Sequence, residues 1–209
     1  MREIRGLGHD ELQQLVQSDV FLSRVSVVGM QLAANNLEGG FALSRAGDAI
    51  CYSPMLIPES FAENGDLDPA KALYVNDITL RANQGYNPAI LATLHGHPTE
   101  SDGAYDLAAA LPSYGDICRL AQVEYPANPA HIGMVAHVEQ APAPHVQIQC
   151  FRAGNNFTPD ELLAKPLDSM FFHDYHATLE AHGVRTASLR IMSDGRIFGL
   201  HNLEHLYED

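Results

Sequence analysis

Two histidines one residue apart, His95 and His97, close an apolar run and lead into Pro98. Asp116 follows 19 residues after His97, three residues after Ser113, in the stretch Pro112-Ser113-Tyr114-Gly115-Asp116. In a strand, residues i and i+2 project to the same side, so both imidazoles would leave the strand end together. Neutral imidazole and carboxylate are zinc ligands, and a catalytic zinc takes three protein ligands plus a water. His-x-His alone is more often the pattern of two ordinary satisfied histidines. Ser113 and Asp116 alone form a capping-box signature that starts a helix after a proline. The two readings are compatible, because a capped helix start can hold a carboxylate rigidly beside a metal.

The elements that must place these residues are legible in outline. Residues 9–17 read as a short helix. Residues 19–35 read as a longer one, with Phe21, Leu22, Val25, Val28, Met30 and Leu32 near helical spacing and Ser18 or Asp19 as its cap. Asn35-Asn36 and Gly39-Gly40 end it. Residues 41–44 and 49–54 form an expected hairpin around the polar turn 45–48, and 55–72 a loop. A strand is expected at 73–81, a turn at 82–88, and a buried strand at 89–94 with the histidines at its C-terminal end. A helix is expected from Ser113 to about Glu124, then strands at 131–139 and 145–152 joined by a Pro-containing turn. After Gly154-Asn155-Asn156 the spacing predicts helices at 158–165 and about 168–182, then strands at 184–192 and 196–201 flanking the hairpin turn Ser193-Asp194-Gly195. The chain divides on this reading into 1–153 and a C-terminal extension, 154–209.

Taken together, strand, His-x-His-Pro, then Pro-Ser-x-x-Asp opening a helix resembles the JAMM motif of the JAMM/MPN-plus (JAB domain) zinc metallopeptidases. The matching residues are His95, His97, Pro98, Ser113 and Asp116, and Glu38 in Leu37-Glu38-Gly39-Gly40 stands at the upstream helix-to-strand junction where that family has a glutamate. The resemblance spans about residues 19–153. It implies an α/β fold of the α+β type: a mixed central sheet with flanking helices and a JAB/MPN-like (cytidine-deaminase-like) core. It implies that His95, His97 and Asp116 ligate one Zn²⁺ per chain, that Glu38 is the general base and that Ser113 donates to the oxyanion. Zinc lowers the pKa of bound water to about 7, which suits a neighbouring carboxylate as base. The implied activity is hydrolysis of an amide or isopeptide bond in a protein or peptide substrate, with ubiquitin-like proteins as the family's usual partners. The chain departs from the pattern in three places. Gly96 stands where Ser or Thr is common, residues 99–112 lengthen the spacer, and two glycines follow Glu38. The insertion reads either as a flap over the cleft or as a passive surface loop. Glu59 and Glu63 are alternative bases.

The chain has 209 residues, a net charge of −14 and only 12 Lys and Arg, which form no patch, so nucleic-acid phosphates are poor partners. No apolar run is long enough to cross a bilayer. The N-terminus lacks a signal-peptide core, and three widely spaced cysteines suggest no disulfide framework, so a cytoplasmic setting is expected. Other function classes are a non-catalytic MPN-type scaffold, a RadC-like protein, and an effector hydrolase whose extension recognises a partner. Among the other histidines, His131, His137 and His145 fall in or beside strands and read as structural. His173 and His176 share a helix face, as an alternative metal pair or a solvated one. His201 and His205 carry no signal, and Cys118 reads as a small buried residue.

Overall fold

In a computed structural model, which describes residues 5–36, 38–55, 90–98, 111–139 and 144–208, the helical spacing near the N-terminus becomes two helices, α1 (His9–Val16) and α2 (Asp19–Asn35). Ser18 caps α2 by accepting the Phe21 N–H, as its side chain predicts. The buried stripe of α2 is Phe21, Val25, Val28, Gly29 and Leu32. Met30 lies off that stripe and is exposed, because it follows Val28 by two residues and so points away from it. Burying each large side chain of the stripe stabilises the fold by about 1.5–3 kcal/mol.

The stripe faces a seven-stranded mixed sheet of order β2-β1-β3-β4-β5-β6-β7. Strands β1 (Gly40–Ala46) and β2 (Ala49–Tyr52) form the expected hairpin, with Gly47 at positive φ in its turn. β1 pairs antiparallel with β3 (Ile90–Gly96), and β3 runs parallel to β4 (Ile132–Glu139). A parallel pair needs a crossover, and it contains helix α3 (Tyr114–Arg119). Every residue of β3 is buried, as befits a strand covered on both faces. β5 (His145–Ala153) continues the sheet antiparallel to β4.

Beyond residue 154 lie α4 (Pro159–Leu163), α5 (Phe172–Ala181), β6 (Val184–Met192) and β7 (Ile197–Phe198). β6 pairs with β5 along its whole length, from Ala153–Val184 to His145–Met192, so this segment shares the central sheet. The helix expected from 168 begins at Phe172, after a 3₁₀ turn at Leu167–Ser169. The strand expected at 196–201 stops at Phe198, because Gly199 takes φ 84° and the chain turns into a 3₁₀ segment, Leu200–Tyr207.

Alternation along the strands splits the core in two. Ile132, Met134, Ile148 and Cys150 join α1, α2 and the C-terminal 3₁₀ segment on one face. Val135, Phe151 and Ala153 join Ile117, Leu120, Leu162, Tyr175 and Leu179 on the other. The expected mixed sheet with flanking helices is thus present. The strand and turn expected at 73–88, most of the insertion, Glu59 and Glu63, and most of the 140–144 turn lie outside the described residues.

Candidate metal centre

β3 delivers the histidines. Its parallel partner β4 fixes its end, where the His97 N–H donates to the Ala136 carbonyl at 2.8 Å. On the other edge, the Gly96 N–H donates to the Gly39 carbonyl at 2.8 Å. Gly96 itself points to the α2 face. A Cβ there would meet the Leu32 side chain at 2.9–3.0 Å, so the absence of a side chain between the histidines lets α2 pack closely on the sheet. Gly40 is similarly confined, since a Cβ would overlap the Leu94 carbonyl and crowd His95.

α3 delivers the carboxylate. Ser113 and Asp116 form a reciprocal capping box: the Asp116 N–H donates to Ser113 Oγ at 3.2 Å, and the Ser113 N–H donates to Asp116 Oδ2 at 2.7 Å. The Ser113 hydroxyl also donates to Oδ2 at 2.7 Å. The capping box therefore fixes the same carboxylate that the metal reading needs.

The three side chains converge. His95 Nε2 lies 3.0 Å from His97 Nε2 and 3.2 Å from Asp116 Oδ1, and His97 Nε2 lies 3.1 Å from Asp116 Oδ2. Each is less than a tenth exposed. Two imidazole nitrogens and a carboxylate aimed at one point repel unless a proton or a cation lies among them. Around a tetrahedral zinc with bonds of about 2.0–2.1 Å, neighbouring ligand atoms stand about 3.3 Å apart, close to these separations. The donor set and its spacing fit a metal ion. Among the described residues this is the group of three or more His, Cys, Asp or Glu side chains placed to hold one. Burial by itself pushes the Asp116 carboxyl up, but the charge and hydrogen bonds of His95 and His97 outweigh it and hold it well below the usual carboxylate range.

Glu38 is half-buried and immediately precedes β1. The β1–β3 register pairs Gly40 with His95, and the Gly39–Gly96 bond continues it, so Glu38 stands next in line, opposite His97. Ser113 is exposed at the mouth of the site. His131 and His145 are buried with Nε2 against the carboxylates of Glu124 and Glu139, at 3.1 and 3.2 Å. His173 is exposed, and His176 bonds Thr186 at 3.0 Å and lies near Glu180; among the described residues they are not part of a converging group of three such side chains. Cys118 is half-buried rather than fully buried.

A second polar layer lies beneath the first, and the residue spacing does not announce it. Arg119 Nε donates to Glu124 Oε1 at 2.8 Å, Glu124 Oε2 meets His131 Nε2, and His131 Nε2 lies 3.2 Å from Thr93 Oγ1. All four side chains are buried. Thr93 is two residues before His95 and shares its side of β3, which is the one hint that the sequence carries. The helix expected to run regularly to Glu124 instead passes into a π-helical segment, Leu120–Glu124. The wider π turn brings positions i and i+5 together, and π segments often mark functional sites. Burial raises the Glu124 carboxyl, but His131 and Arg119 outweigh it and leave it below its ordinary range.

The chain matches no protein-family model and no curated protein sequence. No helix among the described residues is long and apolar enough to cross a membrane.

Proposed function

We propose that this protein is a zinc-dependent hydrolase of amide or isopeptide bonds, built on a JAB/MPN-like core. The observation that carries the reading is the convergence of His95, His97 and Asp116, three protein ligands on two rigid elements, with Ser113 at the mouth. His95, His97 and Asp116 would hold one Zn²⁺, which when bound lowers the pKa of water and polarises a carbonyl.

The chain's own groups would do the rest. Glu38, in line with His97, would take a proton from the attacking water and return it to the leaving amine. Ser113 has one hydroxyl proton, which here is donated in a hydrogen bond to Asp116 Oδ2. When that hydroxyl turns to an oxyanion, the Ser113 N–H still holds Asp116 Oδ2, so the carboxylate keeps its place. A protein or peptide substrate fits this chemistry, with a ubiquitin-like protein as the favoured partner. Three free cysteines accord with a reducing, cytoplasmic setting.

The test is incubation of the zinc-loaded chain with isopeptide-linked ubiquitin-like proteins and a peptide library. Cleavage should stop on chelation and fall about 10²–10⁴-fold in Glu38→Gln, the usual share of a general base. Cleavage that survives both treatments would refute the mechanism.

A further inference from the structure

The C-terminal segment reaches the site through one peptide group. Tyr175 lies on α5, 63 residues after Pro112, and its buried hydroxyl donates to the Pro112 carbonyl at 2.6 Å. That carbonyl and the Ser113 N–H belong to the same peptide unit. The unit is planar, so its two polar ends turn together. At the other end, the Ser113 N–H donates to Asp116 Oδ2 at 2.7 Å. A continuous chain thus runs from the Tyr175 hydroxyl through the Pro112–Ser113 peptide to the carboxylate. A bond to the carbonyl also polarises the N–H and strengthens its donation.

The surroundings make this a fixed strut. Leu111, Ile117, Leu120, Tyr175 and Leu179 share one core cluster, so the ring is packed where its hydroxyl is aimed. Burial, with the nearby Asp116 charge, pushes the Tyr175 hydroxyl further above its ordinary range, so it stays a donor at neutral pH.

We propose that Tyr175 is a positioning residue for Asp116, acting through the Pro112–Ser113 peptide, and that the segment after residue 154 thereby sets the geometry of the candidate metal centre. The inference rests on the reading of His95, His97 and Asp116 as a metal site.

The test compares Tyr175→Phe, which keeps the ring in its core cluster, with Tyr207→Phe. Tyr207 donates to the Leu7 carbonyl at 3.0 Å and belongs to the other core cluster, so it controls for loss of a tyrosine-to-carbonyl bond. Amide hydrogen exchange at Ser113 and Asp116 is followed without metal, and Co²⁺ is titrated with its visible absorption recorded. Tyr175→Phe should speed exchange at both amides, weaken Co²⁺ binding about tenfold, the low end for outer-shell hydrogen bonds, and alter the Co²⁺ spectrum. Tyr207→Phe should do none of these. Unchanged exchange in Tyr175→Phe overturns the proposal, as does faster exchange with wild-type Co²⁺ affinity and spectrum, or an equal effect of Tyr207→Phe. If the wild-type chain takes up no Co²⁺, the metal reading falls separately, and the proposal falls with it.

Discussion

Replacing Glu124 by Gln tests the buried layer under the centre. The amide keeps the shape of the side chain but removes its charge. Arg119 is then a guanidinium less than a tenth exposed, whose Nη2 already has no hydrogen-bond partner among the described residues. His131, 3% exposed, loses its carboxylate as well. Breaking a buried pair from one side costs about 3–5 kcal/mol, because the surviving charge stays desolvated. That is a large part of a typical total of roughly 5–15 kcal/mol. For a chain of this length it lowers the melting temperature by roughly 6–20 °C. Arg119→Met/Glu124→Leu removes both charges, and apolar replacement of a buried pair is often neutral. The double variant should recover most of the loss. Urea unfolding of the wild type, the single variant and the double variant measures this. A Glu124→Gln loss under about 1 kcal/mol, or a double variant worse than the single one, would refute the reasoning.

Two further outcomes follow from the same geometry. The Glu124 carboxyl is held below its ordinary value of about 4.3, so its stabilisation is complete above that value and is lost as pH falls through the folded-state pKa. Unfolding free energy should therefore drop below about pH 4, and less steeply in Glu124→Gln; identical slopes would contradict this. Gly96→Ala should cost about 1–3 kcal/mol by overpacking against Leu32 at 2.9–3.0 Å, and Leu32→Ala should relieve it. A double-mutant cycle should show coupling beyond the ~0.5 kcal/mol expected of independent sites, and additivity would show that α2 does not constrain the histidine strand.

The site was legible where local chemistry and long-range placement coincide. An apolar run ending in His-x-His reads as a strand that projects both imidazoles, and Ser113 with Asp116 reads as a helix start. Both patterns are short, and each fixes side-chain direction by itself. Glu38 is marked by the helix-to-strand junction, and the β1–β3 register, carried past Gly40 by the Gly39–Gly96 bond, sets its backbone opposite His97. What stayed hidden depends on partners distant in sequence. Arg119 and Glu124 look like solvated helix residues until the π segment and His131 bury them. Tyr175 looks like one more aromatic on a helix, since nothing near it in sequence points to Pro112. In the extension, the early end of β7 follows from the left-handed Gly199, whose Cβ would meet the Ser188 carbonyl oxygen at 2.7 Å. The close approach comes from β6, so the preceding residues alone read as a longer strand.

The central claim is that His95, His97 and Asp116 hold a zinc ion. The most direct measurement is metal content of the purified chain after zinc addition and gel filtration, beside His97→Ala, with circular dichroism to check the fold. The account predicts one zinc per chain in the wild type and none in a folded His97→Ala. A folded wild-type chain that retains no zinc, or a variant that retains it in full, would contradict it.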